Sequence, residues 1–265
     1  MNPSHQAARF DRALVRTPGA SVVHGLRAVD RGAPTLAGVL AEQAAYVRAL
    51  EAAGVTVEVL PPLVDFPDAV FLEDPALVFP EGAIVLHPGA ESRRGEAAAL
   101  APELERRFER VLRLEAGTAE GGDVMVTADE VLIGRSDRTD ETGAEALAAL
   151  LREFGRRPRI VATPPGVLHF KSDSSLLDDA TVLATPRLAA AGFFSGLRVI
   201  ETAPDEEAAA NALRVNDDLL VGARFPRTAD RLAAAGYRVV LLENSEIGKV
   251  DAGFSCLSLR WRTRP

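Results

Sequence analysis

The sequence predicts an α/β protein built from five copies of one strand–turn–strand–helix–strand unit, set around a ring. Three observations predict it. Helical apolar stripes recur along the chain, a short β-rich run follows each of them, and a hairpin-like pair of strands separates that run from the next helix. The start of each hairpin carries a small polar or acidic residue, Asp74, Asp123, Asp173 and Asn211, at spacings of 49, 50 and 38 residues. A period of that length is the mark of a repeat architecture.

The first helix is expected over 35–53, where Leu36, Val39, Leu40, Ala44, Val47 and Leu50 form one stripe and Gly54 follows as a cap. The second, 92–110, begins at a serine cap, Ser92, and carries Leu100, Leu104 and Phe108. The third, 139–154, is rich in Ala and Leu and stops at Gly155. Shorter helices are expected over 186–191, 205–212 and 227–235. The β-rich runs that follow are 55–60, 111–114, 160–163, 198–201 and 237–242. The hairpins pair 76–79 with 83–87, 123–127 with 131–134, 174–177 with 181–184, and 212–215 with 219–222. The fifth unit is split: 13–17 and 254–259 would pair the two ends of the chain and close the ring, which removes exposed sheet edges. An open α/β sheet is the competing arrangement. Against it, no G-x-G-x-x-G or P-loop follows the first strand, and hairpins between helices fit a simple βαβ array poorly. With no linker in sight, residues 1–265 are expected to form a single catalytic domain, 1–11 being a mobile tail.

The 265 residues are 47% apolar and 26% charged, ordinary values for a globular chain and outside the range of disordered, collagen-like or disulfide-scaffold sequences. One cysteine excludes an intrachain disulfide. The net charge of −8, the absence of a Lys/Arg cluster and an aromatic content of 5% argue against a nucleic-acid partner. No apolar run reaches the roughly 18 residues of a membrane span, and the first residues carry no apolar core of a secretory signal. A cytoplasmic protein without a membrane partner is the expectation.

Cys256, taken alone, reads as a small buried hydrophobe. Its place in Gly253-Phe254-Ser255-Cys256, where loop 246–252 runs into the last strand, also suits a functional side chain on a rigid frame. Strand alternation would put Phe254, Cys256 and Ser258 on one face. Of the four histidines, His5 lies in the tail, and His24 and His87 at a loop and a strand end. His169 stands between apolar residues and the polar Lys171-Ser172-Asp173, as either a hydrogen-bonded core residue or an acid–base group. No His pair has metal-ligand spacing and one cysteine cannot build a thiolate zinc site, so no metal is expected. Asp68, Glu73 and Asp74 lie among apolar residues, where a carboxylate needs a partner; together they suit a cationic ligand. Glu120-Gly121-Gly122-Asp123 reads either as a plain turn or as backbone that a ligand approaches closely. Arg93 and Arg138 stand just inside expected helix starts, where the dipole disfavours a cation, unless each guanidinium serves to bind a carboxylate.

Six ordered segments then carry a resemblance. They are Phe66-Pro67-Asp68-Ala69-Val70-Phe71-Leu72-Glu73-Asp74, His87-Pro88-Gly89-Ala90 with Ser92-Arg93-Arg94, Glu120-Gly121-Gly122-Asp123-Val124, Arg138-Thr139, Leu168-His169-Phe170-Lys171-Ser172, and Val250-Asp251-Ala252-Gly253-Phe254-Ser255-Cys256. From Arg12 to Trp261 the chain resembles the dimethylarginine dimethylaminohydrolase family of guanidino-group-modifying enzymes; Phe170 in place of a second leucine is a minor departure. The resemblance implies a five-fold pseudosymmetric α/β propeller of ββαβ units. It implies Cys256 as nucleophile, His169 as general acid/base and Glu120 as the group that orients His169. It implies that Glu73 and Asp74 grip the guanidinium, that Asp68 with the carbonyls of Leu26 and Val250 holds the α-amino group, and that Arg93 and Arg138 bind the carboxylate. The implied reaction takes Nω-methylated L-arginine to L-citrulline and an amine through a covalent thiouronium on Cys256, with no cofactor.

A thiolate available near neutral pH would be a strong enough nucleophile for the poorly electrophilic guanidinium carbon. The alternatives are a hydrolase or deiminase acting on arginine or another guanidino compound, and a non-catalytic ribosome-type binding protein of the same fold. Paired arginines disfavour a substrate without a carboxylate, such as agmatine. Cys256, His169 and Glu120 together, with the acidic charge, disfavour a pure binder. A small-molecule substrate is the expected partner, and a homodimer is compatible with the sequence.

Overall fold

The computed structural model describes residues 7–264. Fifteen strands form five three-stranded sheets of one plan. In each, two strands pair antiparallel, as a hairpin in all but the first, and a third lies parallel to the middle strand after a helical crossover. A parallel pair needs such a crossover, because a tight turn can join only antiparallel neighbours.

The first sheet combines both ends of the chain. β1 (Arg12–Arg16) lies between β15 (Ser258–Trp261), antiparallel, and β2 (Thr56–Leu60), parallel, with Leu14 opposite Leu259. α1 (Leu36–Ala52) makes the crossover; Thr35 caps it by accepting the Gly38 N–H at 3.1 Å. The second sheet is β3 (Ala76–Phe79), β4 (Gly82–Val85) and β5 (Val111–Arg113), crossed over by α2 (Arg94–Glu105). β6 (Val124–Val126), β7 (Val131–Arg135), α3 (Glu141–Glu153) and β8 (Pro158–Ala162) make the third unit. The fourth is β9 (Ser174–Asp178), β10 (Thr181–Ala184), the one-turn α4 (Pro186–Ala189) and β11 (Arg198–Glu201). The fifth is β12 (Leu213–Val215), β13 (Asp218–Gly222), α5 (Pro226–Ala234) and β14 (Arg238–Leu242).

The middle strands β4, β10 and β13 are buried throughout, as their near-continuous apolar runs require. The outer strands β2 and β14 are partly exposed. The helices lay apolar stripes on their own sheets: Leu147 and Leu151 of α3 pack with Val131 and Ile133, in a cluster that Ile84 of the second sheet joins, and Leu232 of α5 packs with Leu219 and Val221. Tyr46 of α1 stacks on Phe254 at 6.1 Å and shares a 2.6 Å hydrogen bond with Ser258, fixing the segment that leads into β15.

Five expectations are corrected. The last strand begins at Ser258, and Ser255–Leu257 form a single 3₁₀ turn, so Phe254, Cys256 and Ser258 do not alternate on a strand face. Ser92 does not cap α2; it lies in the preceding 3₁₀ turn, Glu91–Arg93, and the cap position is Arg93. Arg138 lies outside α3, whose cap is Asp140, accepting the Gly143 N–H at 2.6 Å. The helix expected over 205–212 is only a 3₁₀ turn, Glu207–Ala210, because the Glu206 carboxylate bonds the N–H groups of Arg227 and Thr228 instead of opening a helix of its own. Residues 7–11 are held rather than free: Phe10 N–H donates to Asn216 at 3.1 Å, and Arg9 pairs with Asp217 at 2.8 Å. Residues 1–6 of the expected tail, His5 among them, lie outside the described residues.

Leu259→Ala tests whether the terminal sheet belongs to the cooperative core. Leu259 is buried, so its truncation should cost about 2–5 kcal/mol, read as a lower urea midpoint at unchanged slope. An unchanged midpoint would place β15 outside the folding unit.

Candidate active site

Nine of the ten residues expected at the site line one cleft of about 40 Å³: Leu26, Asp68, Asp74, Arg93, Glu120, Arg138, His169, Val250 and Cys256. Most come from loops that precede the antiparallel strand pairs, Arg93 and Arg138 from the segments that lead into α2 and α3, and Leu26 from loop 26–31. Phe71, Leu168, Asp251 and Ala252 complete the wall. These four lay in the quoted motifs, but nothing in an apolar or backbone contact distinguishes them in sequence.

The centre is the pair formed by His169 and Glu120. His169 Nε2 lies 2.6 Å from Glu120 Oε2, and Glu120 is fully buried. The other carboxylate oxygen accepts the Ala90 N–H at 3.3 Å and faces Arg138 Nη1 at 3.6 Å. Burial works against the imidazolium, but Asp74, Glu120 and Asp123 outweigh it and push His169 up to about 9. Gly122 makes room for this ring. A Cβ there would stand 2.8 Å from both His169 Cγ and Asp74 Oδ1, so only glycine lets Asp74 and His169 close on the same backbone.

Asp74 accepts from Arg93 Nη1 and from the Gly122 N–H at 3.2 Å. Burial opposes its ionisation, yet Arg93 and the imidazolium hold its carboxyl below the ordinary value. Asp68 accepts the Leu26 N–H at 3.0 Å, and burial pushes its carboxyl up. Loop 26–31 is latched further by Asp251, which accepts from the Ala28 N–H and pairs with Arg31 at 2.9 Å. Cys256 is buried, and its thiol is pushed up to about 11 by burial and by the carboxylates of Asp74 and Glu73. Low dielectric and two anions both favour the neutral thiol.

Two further expectations change. Glu73 turns away from the cleft. Its Oε1 pairs with Lys171 at 2.7 Å and Arg260 at 2.9 Å, and it lines a separate cavity of about 410 Å³ on the other side of the chain segment. Asp74, not Glu73, lines the cleft. Arg93 is almost fully bonded within the protein. Its Nε and Nη2 meet Glu96, Nη2 also meets the carbonyls of Asp68 and Phe71, and Nη1 meets Asp74. Its location at the start of α2 is offset by these partners, and Glu96 is pushed up to about 7 by its own burial. Arg138, about one-fifth exposed, is the freer guanidinium.

Asp74, Glu120 and His169 each bring a metal-capable atom within 4.8 Å of the others. No sequence spacing predicted this cluster, because its members come from three separate hairpin-start loops. Their lone pairs are engaged by Arg93, Gly122, Ala90 and the imidazole itself. Chemically, the cleft offers a sulfur nucleophile, a proton donor of high pKa and a buried carboxylate suited to a planar cation.

The family described as "N,N dimethylarginine dimethylhydrolase, eukaryotic" matches residues 32–158. An N(G),N(G)-dimethylarginine dimethylaminohydrolase of Pseudomonas aeruginosa is 39% identical over 95% of this chain and 100% of its own. That of Streptomyces coelicolor is 36% identical over 95% and 97%. The chain belongs to the dimethylarginine dimethylaminohydrolase family. It is thus an enzyme of the hydrolase class. A crystal structure of the Pseudomonas enzyme, a cysteine-to-serine variant complexed with citrulline, superposes with a TM-score of 0.92 at 38% identity, covering 95% of this chain and 99% of that one. The N-terminal domain of the cyanobacterial arginine dihydrolase ArgZ shares the fold, at a TM-score of 0.83 and 17% identity, over 96% and 99%. Among the described residues no helix is long and apolar enough to cross a membrane.

Below about pH 9 the His169 ring should be an imidazolium, and it should lose its proton as the pH rises through that value. NMR titration of the ring in the ligand-free protein reads this directly. Glu120→Gln removes a charge and a charge-assisted acceptor, so the midpoint should fall. A midpoint near the ordinary 6.5 in the unsubstituted protein would contradict the pairing.

Proposed function

We propose that this dimethylarginine dimethylaminohydrolase family member hydrolyses Nω-methylated L-arginine, mono- or asymmetrically dimethylated, to L-citrulline and methylamine or dimethylamine. The observation that carries the reading is the convergence of Cys256, the His169–Glu120 pair and Asp74 on one buried cleft. The whole chain acts as one catalytic unit in this reading, since every repeat contributes to the cleft or braces it.

In the proposed reaction the substrate guanidinium lies against Asp74. Its positive charge beside Cys256 offsets the carboxylates that hold the thiol protonated, so the thiol releases its proton to solvent when substrate is bound. The thiolate attacks the guanidinium carbon and a C–S bond forms. His169, an imidazolium at neutral pH, gives its proton to the departing amine as the C–N bond breaks. The product of this half is a thiouronium on Cys256. The now neutral imidazole takes a proton from water, whose oxygen attacks the same carbon; the C–S bond then breaks, the thiolate is restored, and the new hydroxyl loses its remaining proton to solvent to give the ureido carbonyl of citrulline. Glu120 holds the ring and balances its charge through both transfers.

The amino-acid end of the substrate is assigned to the other wall. Asp68 and the carbonyls of Leu26 and Val250 suit an ammonium, and Arg138 suits the carboxylate, with Arg93 contributing the part of Nη1 that Asp74 leaves open. Glu73 acts on the reaction only through its field in this scheme.

Cys256→Ser should stay folded, bind substrate and lose turnover, because a hydroxyl is far less ionised than a thiol. Mass spectrometry of the unsubstituted enzyme quenched during turnover should find the adduct on Cys256. Turnover of the variant within tenfold of the parent would remove Cys256 as nucleophile. Arg138→Ala should lower kcat/KM for dimethylarginine about 10–100-fold, the worth of one charge-assisted hydrogen bond. It should barely change the low rate on an alkylguanidine lacking the carboxylate. Equal losses on both would mean that Arg138 supports Glu120 rather than reading the substrate's carboxylate.

A further inference from the structure

The hairpin starts carry a carboxylate three times, at Asp74, Asp123 and Asp173, and an amide once, at Asn211. The exception falls where the next repeat's loop carries Cys256. Asn211 is buried; its Oδ1 accepts the Ser255 N–H at 3.2 Å, and its Nδ2 lies 3.4 Å from Cys256 Sγ. Only the oxygen of an amide can accept from a backbone N–H, so the bond to Ser255 determines which end meets the sulfur. Gly253 is shaped around the same side chain. A Cβ on it would overlap Cβ, Cγ and Oδ1 of Asn211, so the cysteine loop lies flush against the amide.

We infer that Asn211 is a further catalytic residue: its side-chain N–H donates to the Cys256 sulfur and stabilises the thiolate in the reaction proposed above. The inference rests on Cys256 being the nucleophile. The surroundings create the need. Asp74 and Glu73 oppose ionisation of the thiol, while the Gly253 backbone and Asn211 favour it. Ser255 Oγ stands farther off, at 4.0 Å. A carboxylate at 211, as at the other hairpin starts, would bring a third anion to the sulfur. The amide keeps the bond to the neighbouring repeat and replaces that anion with a donor. Both halves of the reaction use it: the thiolate forms before attack on the guanidinium carbon, and it departs again when the C–S bond of the thiouronium breaks.

The test compares the unsubstituted enzyme with Asn211→Asp and Asn211→Ala. Alkylation of Cys256 by iodoacetamide is followed by mass spectrometry across pH, beside kcat/KM for dimethylarginine. Asn211→Asp is nearly isosteric and can still accept the Ser255 N–H. It should move the alkylation midpoint up and slow alkylation at neutral pH about 10–100-fold, with a similar loss in kcat/KM. Asn211→Ala should shift the midpoint in the same direction by less, since it adds no charge. If either variant fails to fold, NMR of the Asn211 side-chain amide in the unsubstituted protein decides. Its resonance should follow the thiol titration and should lose that dependence in Cys256→Ala. Alkylation profiles that coincide in all folded forms, or an amide resonance indifferent to the thiol, would overturn the inference while the functional reading stands. No amine release from dimethylarginine by the unsubstituted enzyme, with the midpoint shifts present, would overturn the functional reading and leave the bond to sulfur in place.

Discussion

The cleft depends on one recurring interaction: a side chain at the start of a hairpin bonds the backbone of the next repeat's loop. Asp74 accepts the Gly122 N–H, Asp123 accepts the Phe170 N–H at 2.9 Å, and Asn211 accepts the Ser255 N–H. Each of the three loops so held carries a residue of the cleft: Glu120, His169 and Cys256. Asp123 does the most. Its second oxygen accepts from the hydroxyls of Ser136 and Thr139, and Thr139 in turn accepts the Glu120 N–H. One buried carboxylate therefore sets the backbone positions of His169 and Glu120 together, so the partners of the central pair cannot drift independently. Asp173 is the exception: it bonds Thr185 and Arg187 of its own unit, and no residue of the cleft depends on it.

Such bonds matter because a buried polar group left without a partner is costly, so each cross-repeat contact tolerates few alternative geometries. Precision at the site thus comes from the same atoms that hold the repeats in register. The cost is electrostatic. Asp68, Asp74, Glu96, Glu120 and Asp123 are all buried, and Arg93, Arg138 and His169 answer them only in part. Arg93 sits between two of these carboxylates and satisfies two carbonyls as well, so it acts as an internal counter-ion. The remaining negative field keeps the imidazole charged and the thiol neutral. A planar cation entering beside Asp74 relieves that field, and a guanidinium is such a cation.

The repeat was legible because it is written in local chemistry: apolar stripes of helical period, short β-branched runs, and turn residues between them. The terminal pairing followed from counting, since four complete units left one strand at each end. The errors fall where tertiary contacts override local signals. Ser92 is a good cap by type, but the buried guanidinium of Arg93 holds that turn in another conformation. Phe254 to Ser258 alternates like a strand, but the Asn211 bond to Ser255 bends it into a 3₁₀ turn. Glu73 and Asp74 are indistinguishable in sequence, and only the positions of Lys171 and Arg260 decide which of the two faces the cleft.

By itself the sequence determined the α/β repeat, the pairing of the chain's ends and the identities of the chemically competent side chains, because periodicity and residue type are local properties. The tertiary structure alone decided which carboxylate enters the cleft, that Arg93 is spent mostly on internal partners, that burial and two carboxylates disfavour the Cys256 thiolate, and that Asn211 touches the sulfur. Several of these depend on contacts between residues far apart in the chain, 45 positions for Asn211 and Cys256 and 187 for Glu73 and Arg260. Charge, burial and hydrogen bonding act through space, and no spacing along the chain encodes them.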